Sequence, residues 1–216
     1  HRHLHSFPIR RSSDLADDTI SGGNFHGQPL ALPLDYATVA AAETGNIADR
    51  RCYLMSEGRY GLPKLLTPDA GLNSGLMIPQ YTTAALVTEN KTLCFPASAD
   101  SVPTSLGQED HVSMGSISGR KLHTVLDNLE YIQAIELLYA VQAMDFRRPL
   151  RSTPILEACH NYVREHVPFI NDDRIFAEDI KRLHTIIKDG SLLAIADGTA
   201  AKNNIKLDYD DDFGIY

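Results

Sequence analysis

The chain has 216 residues, a formal net charge of −8 at pH 7 and a hydrophobic content of 43%. This length allows a sizeable core, and an acidic chain without a basic stripe argues against a nucleic-acid or anionic-membrane partner. Three scattered cysteines indicate a reducing compartment rather than a disulfide framework. Because no apolar run is long enough to span a bilayer and the first residues lack the apolar core of a signal peptide, we expect a cytoplasmic protein.

Residues 1–15 differ in composition from the rest of the chain. His1, His3 and His5 alternate with other residues and precede a short tract rich in Arg and Ser. A transit peptide or a weak metal-binding tract would use the same residue types. The tract is also similar to translated adapter sequence, and we favour that interpretation. It predicts a foreign or disordered leader over residues 1–15 and native helical protein over residues 16–216.

Residues 21–34 form a loop with three glycines and two prolines around Asn24, Phe25 and His26. Glycines let the backbone turn tightly or approach a ligand closely. A phenylalanine in such a loop has few neighbours to pack against. Phe25 is therefore either a half-buried surface aromatic or a side chain that faces a ligand, and His26 is a candidate for supporting the loop by hydrogen bonding.

The remaining pattern is helical almost throughout. We expect a helix over residues 35–57 with Asp35 as its cap, and a second that opens at Asn73 and tolerates Pro79 in its first turn. No proline interrupts residues 111–148, and a helix of that size would extend roughly 50 Å. Its part from residue 132 to 144 is apolar on all sides, which suits the spine of an assembled bundle.

Three shorter helices are predicted after Pro149. Thr153 and Pro154 are a cap and first-turn pair, Glu178 and Asp179 open the next helix, and residues 192–201 form the last one before an acidic tail. Strand signals are nearly absent. The sequence therefore predicts an all-α fold.

The polar stretch Gln108, Glu109, Asp110 and His111 lies where an extended segment gives way to the long helix. Asp110 or Ser113 can accept the free amide hydrogens of that helix start, whose dipole favours a nearby anion. Glu109 is a candidate acid, base or amine anchor, and His111 a proton carrier or neutral partner. A capped helix start with a solvated acidic turn is the simpler interpretation. Consecutive residues cannot all face one side, so we expect no metal site.

Two dense motifs carry a family resemblance. Residues 21–27 (SGGNFHG) and 108–114 (QEDHVSM), in this order, resemble the aromatic amino acid ammonia-lyases. The resemblance extends from about residue 19 to about residue 180 and includes 70–75 (AGLNSG) and 89–91 (ENK). It implies a long-helix bundle of the ammonia-lyase/fumarase-like type, assembled as a homotetramer with active sites built from several subunits.

The resemblance also implies a chemistry and a set of site residues. The family eliminates ammonia non-oxidatively from an amino acid, using 4-methylideneimidazole-5-one (MIO) made from its own Ala-Ser-Gly. Carried over, Glu109 is the catalytic carboxylate near the substrate amine or imidazole, and Phe25 and Gln108 are substrate-binding residues. Possible supporting residues behind them are Asn24, His26 and His111. A glutamate, where phenylalanine-specific relatives tend to have glutamine, favours L-histidine as substrate and trans-urocanate as product.

The chain departs from the family in one serious respect: no Ala-Ser-Gly occurs in its 216 residues. The family's catalytic tyrosine has no counterpart either. These residues alone therefore predict no cofactor formation and no activity by themselves. Two alternatives stay open: a tyrosine or phenylalanine ammonia-lyase or aminomutase, and a non-catalytic helical assembly fragment.

Two other pairs of residues are not assigned a chemical role. Ser118 and Lys121 match a Ser-x-x-Lys nucleophile pattern, but no partner motif accompanies them. Cys159 and His160 are adjacent and so do not share a helix face. We expect the cysteine in the core and the histidine on the surface.

Overall fold

The computed structural model describes residues 26–207, and within that range the fold is all-α, as predicted. Apart from two isolated bridges, the described residues form no β-structure. Asn24 and Phe25 of the glycine-rich loop and the acidic tail lie outside the described range. The described part of the chain contains six α-helices, in the order α1 Gln28–Ser56, α2 Met77–Leu93, α3 Gly115–Phe146, α4 Pro154–His166, α5 Phe176–Lys188 and α6 Ser191–Lys202.

The described chain divides into two compact units. The first comprises residues up to Ala42 together with Asn90–Leu126, and the second comprises Glu43–Glu89 together with the residues from Asp127 onward. The three long helices contribute to both units. Within residues 26–207, no helix combines the length and the apolar character that a membrane crossing requires.

Helix α1 begins seven residues earlier than predicted, so the expectation that Asp35 caps it is wrong. The carbonyl of Gly27 accepts two amide hydrogens of the first turn, each at 3.0 Å. Pro33 lies inside the helix. A proline there removes one amide donor, and the helix continues through it because its neighbours keep their own bonds. Asp35 instead lies within the helix, beyond its first turn, and is buried.

Helix α2 begins at Met77, and the prediction that Asn73 opens it is also wrong. Asn73 lies in a turn before the helix, where its side-chain oxygen accepts the Asp173 amide at 3.1 Å. The Asp173 carboxylate in return accepts the amides of Ser74 and Gly75, both at 2.8 Å. This exchange fixes the turn to the segment before α5. Pro79 falls in the first turn of α2, as expected.

The long uninterrupted helix is confirmed as α3, although it begins at Gly115 rather than at residue 111. The Ser113 hydroxyl oxygen accepts the Gly115 amide at 3.1 Å, which confirms one of the two predicted caps. The prediction of an all-round apolar half is confirmed by its burial. Between residues 132 and 144 the buried side chains are Ile132, Ala134, Ile135, Leu138, Tyr139, Val141, Gln142 and Ala143.

This half of α3 forms the centre of the second unit's core. Leu66 and Leu76 of the preceding loop, Cys52 of α1 and residues of α4 and α5 pack around it. The Tyr139 hydroxyl donates to the Leu76 carbonyl, so a buried polar group has a partner. Burial raises the pKa of the Cys52 thiol, which is consistent with a structural residue rather than a nucleophile.

The three short helices follow the predicted signals, with two corrections on α4. Thr153 caps α4 with Pro154 in its first turn, and Glu178 and Asp179 lie in the first turn of α5. Cys159, predicted in the core, is only partly buried, and His160, predicted on the surface, is instead buried. Its Nε2 lies 2.8 Å from a carboxylate oxygen of Asp145. A partner from α3 makes burial of this polar ring possible, and position along α4 alone does not reveal that partner.

Candidate functional site

The polar stretch belongs to a tightly closed loop in the first unit. The Thr104 amide donates to the Glu109 carbonyl at 3.0 Å, and the Glu109 amide donates back to the Thr104 carbonyl at 3.3 Å. Between them Ser105, Leu106 and Gly107 all have positive φ values, of 52°, 58° and 85°. This left-handed run reverses the chain within a few residues. It places Glu109, which is half-buried, just before the approach to α3.

The side chains next to Glu109 are more exposed than Glu109 itself. Gln108, Asp110 and His111 are all exposed, so the acidic turn is open on the surface of this chain. The Val112 amide donates to the Ser101 hydroxyl oxygen at 2.9 Å. That bond ties the end of the polar stretch to the segment before the loop.

The end of the glycine-rich loop meets this polar stretch, although the two are separated by 85 positions. His26 Nε2–H donates to the His111 carbonyl at 2.7 Å, and the two imidazole centroids are 5.2 Å apart. The loop-supporting hydrogen bond expected of His26 is therefore present and requires the proton on Nε2. Gly27 has φ +76°, and a β-carbon there would lie 3.2 Å from the Ser113 hydroxyl. Glycine allows both the turn and this close approach.

A largely buried ion pair joins α1 to α3 in the first unit, and the sequence pattern did not predict it. Lys121 Nζ is 3.3 Å from Asp35 Oδ1, and the exposed fractions of the two side chains are 15% and 6%. Lys121 also donates to the Phe95 carbonyl. Asp35 Oδ2 accepts the Ser98 amide at 2.7 Å. The partners are far apart in sequence, so only the fold brings them together.

Asp35 remains a carboxylate in this cluster. Burial on its own would raise the pKa of Asp35, but hydrogen bonds from Ser98, Ser118 and Lys121 outweigh it and lower the pKa below its ordinary value. Of the two residues whose spacing matches a nucleophile pattern, Lys121 thus pairs with a carboxylate, and the Ser118 hydroxyl donates to the Met114 carbonyl at 3.4 Å. Helical periodicity could have indicated that Asp35 is buried. Asp35 lies four residues after Ala31 and three before Thr38, and all three residues are buried.

No metal site coincides with the polar stretch in the described residues. No group of three or more metal-ligating side chains occurs between residues 26 and 207. An open cleft of about 540 Å³ lies within the second unit, between α2, Tyr131 and the start of α5. None of the predicted site residues lines that cleft. We therefore base the candidate site on the loop contacts rather than on the cleft.

Comparison with known proteins assigns the chain to a family. The family model for aromatic amino acid lyases matches residues 8–165, and the chain belongs to that family. Among the curated relatives, the histidine ammonia-lyase of Natranaerobius thermophilus is 49% identical over 180 residues, which are 82% of this chain and 36% of the relative. The histidine ammonia-lyase of Symbiobacterium thermophilum is 49% identical over 185 residues, which are 85% of this chain and 36% of the relative.

Solved structures give the same picture. A histidine ammonia-lyase from Trypanosoma cruzi has a TM-score of 0.81 and 43% identity, over 86% of this chain and 37% of that protein. A tyrosine aminomutase from Streptomyces globisporus has a TM-score of 0.82 and 37% identity, over 86% of this chain and 36% of that protein. The chain thus spans little more than a third of the length of these relatives.

Proposed function

We propose that this chain forms part of a histidine ammonia-lyase, which releases ammonia from L-histidine and leaves trans-urocanate. The observation that carries the proposal is the contact between the two family motifs. His26 and Gly27 of the first lie against His111 and Ser113 of the second within one compact unit. The similarity to curated histidine ammonia-lyases at 49% identity supports the same substrate.

In this proposal Glu109 is the catalytic carboxylate. Its backbone is fixed by two hydrogen bonds to Thr104, and its side chain is only half-buried and can accept a bond from a substrate group. A carboxylate pairs with the N–H of an imidazole or with an amine, whereas a phenyl ring offers it no donor. Gln108 would contact the substrate beside it, and His111 would support the loop through His26.

The remaining proposed site residues precede the described range. Phe25 would line the pocket against the substrate, and Asn24 would support it. His26, the next residue, donates to the His111 carbonyl of the polar stretch, which supports this proposal. In it, Phe25 and Glu109 act on the same substrate.

In this proposal, the residues of this chain do not form the cofactor. The family's MIO group, when present, supplies the electrophile that makes the amino group a good leaving group. No Ala-Ser-Gly occurs among these 216 residues, so the residues present do not fit its formation. We derive no step through it. What this chain provides is a positioned carboxylate and the loop around it.

The proposal includes assembly as a homotetramer in the cytoplasm. Helix α1 supports it, because the helix exposes large apolar side chains in the described structure. The exposed residues of this kind on α1 are Leu30, Leu32, Tyr36, Val39, Ile47, Tyr53 and Leu54. Such a surface is typical of an interface between subunits. The cysteines Cys52, Cys94 and Cys159 are all free, as a reducing compartment would leave them.

The test is a chimera of the Symbiobacterium relative, in which the matching segment is replaced by this chain. We expect it to release urocanate, followed by its ultraviolet absorbance, and ammonia in equal amounts. Glu109→Gln should lower kcat/KM by about 10²-fold or more, as expected for loss of a positioned acid–base group. The matched control is Glu165→Gln, at an exposed position on α4, which should leave the rate unchanged. Equal rates for the two variants would refute the role of Glu109.

The likeness to a tyrosine aminomutase supports a second candidate. An aminomutase moves the amino group instead of releasing it, so its product from tyrosine is a β-amino acid. Supplying the chimera with histidine and tyrosine separately distinguishes the two. Ammonia from histidine supports the lyase, and a β-amino acid from tyrosine supports the aminomutase. A chain that forms a stable tetramer but yields neither product in the chimera would favour a non-catalytic assembly role.

A further inference from the structure

Both charges of the Asp35–Lys121 pair are largely withdrawn from water. Removing two charges from water is costly, and a buried ion pair contributes little net stability compared with apolar residues of similar size. Net stability alone is therefore a weak explanation of the pair. What the two side chains hold indicates another role.

Both charges are directed at one short stretch of backbone, residues 95–98. Lys121 donates to the Phe95 carbonyl, and Asp35 accepts the Ser98 amide at 2.7 Å. Gln28 Nε2 donates to the Ser98 carbonyl at 3.0 Å. The stretch is thus attached to α1 at two points and to α3 at one. All of these residues belong to the first unit.

From this stretch a short connection leads to Glu109. Three residues beyond Ser98, the Ser101 hydroxyl accepts the Val112 amide at 2.9 Å. Thr104 then pairs with Glu109 through two backbone hydrogen bonds. The connection contains Pro103, whose fixed φ reduces the freedom of the intervening backbone. A shift of residues 95–98 therefore changes where the Glu109 loop lies.

We propose that Asp35 and Lys121 are positioning residues for Glu109, which they hold in place through the backbone of residues 95–104. This inference rests on the proposed function, since it concerns the same carboxylate. It also gives Lys121 of the Ser-x-x-Lys spacing a role without nucleophilic chemistry, because Lys121 binds Asp35. Neither side chain needs to touch the substrate.

A double-mutant cycle in the active chimera tests this dependence. Lys121→Met keeps the length of the side chain but removes its charge, and we expect it to lower kcat/KM by roughly 10- to 100-fold, as a misplaced group does. In the Glu109→Gln background the same change should cost less than about twofold, since the group being positioned is gone. Lys121→Arg should restore much of the activity. Arg120→Met, at the exposed neighbouring position, is the matched control.

A second variant keeps the test independent of folding. Ser101→Ala removes the hydroxyl that holds Val112 and leaves the buried pair intact. Its loss of kcat/KM in the chimera should likewise be much smaller when Glu109 is already replaced by Gln. In the chain itself, hydrogen exchange at the Val112 and Glu109 amides should be about tenfold or more faster in Ser101→Ala and Lys121→Met. Amides of α3 beyond residue 132 should keep their protection.

The outcomes separate this inference from the proposed function. If Glu109→Gln has no effect, the proposed role of Glu109 fails first. If Glu109→Gln impairs the chimera but the losses from Lys121→Met and Glu109→Gln multiply, the pair acts independently and the inference is overturned. A loss for Lys121→Met with unchanged exchange at Val112 would overturn it as well. A non-additive cycle together with faster exchange supports it.

Discussion

Gln142 is the residue whose removal should most clearly reveal how the second unit is held together. Its side-chain amide is buried on α3 and uses its full hydrogen-bonding capacity. The nitrogen donates to the carbonyls of Leu66 at 3.2 Å and Ile170 at 2.9 Å. The oxygen accepts the Ile170 amide at 3.2 Å and the Arg164 guanidinium at 3.0 Å. One side chain thus joins α3 to two loops and to α4.

Gln142→Ala leaves three neutral backbone groups without this partner, those of Leu66 and Ile170. Each orphaned buried group costs about 1–3 kcal/mol, so the free energy of unfolding should fall by about 3 kcal/mol or more. With a urea m-value of about 2 kcal/mol/M, the unfolding midpoint should drop by about 1.5 M. That loss is large against a typical total of about 5–15 kcal/mol.

The measurement is urea unfolding of the chain followed by far-ultraviolet circular dichroism. The matched control is Gln133→Ala, the same substitution on the same helix at a half-buried position. It should change the unfolding free energy by no more than about 0.5 kcal/mol. If both variants unfold at the same urea concentration, the buried amide does not hold the unit together and the reasoning is refuted.

Four further outcomes follow from the second unit. Gly75→Ala should lower the free energy of unfolding by about 1–3 kcal/mol, because a β-carbon at φ +55° would lie 2.5 Å from a backbone oxygen. Gly198→Ala in α6 should instead raise it by about 0.5–1 kcal/mol, because a β-carbon there meets open space. Thermal unfolding measures both effects. Two arginines and the Ser152 amide lower the pKa of Glu157 from 4.5 to about 2, so its stabilisation is present above pH 4.5 and is lost as pH falls toward 2. Glu157→Gln should therefore flatten acid unfolding in that window. Cys52 should resist a thiol reagent until the chain unfolds, and early labelling would contradict its buried position.

The helices could be predicted wherever the pattern was local. The half of α3 between residues 132 and 144 is apolar on every side, and only burial among several elements satisfies such a segment. Thr153 with Pro154 is likewise a local signal that depends on two adjacent residues. The start of α1 was misjudged because two prolines near its beginning suggested a loop. Pro29 is compatible with the first turn, where the Gly27 carbonyl accepts the Leu30 and Ala31 amides, whereas Pro33 lies inside the helix.

Motifs selected the candidate site residues, but the contacts that support them could not be predicted from the sequence. Glu109 and His26 were selected in this way, and their role in a site stays a prediction, although His26 contacts the polar stretch that contains Glu109. Asp35 and Lys121 escaped because neither is part of a local motif that specifies an ion pair, and 86 positions separate them. His160 was misplaced for the same reason, since its partner Asp145 belongs to another helix. Long-range polar contacts depend on the fold, which a local pattern does not contain.

The conformation of the Glu109 loop bears on the simplest alternative, a solvated acidic turn. Ser105 and Leu106 both adopt left-handed backbone conformations, and glycine occupies only the third position of that run. Such a conformation costs of order 1 kcal/mol or more for each non-glycine residue. A turn selected only for solubility would relieve that cost with glycine or asparagine. The loop instead keeps the strain, and Leu106 at its tip is fully exposed. A strained loop with an apolar tip beside a half-buried carboxylate is therefore poorly explained as a turn that serves only to be solvated.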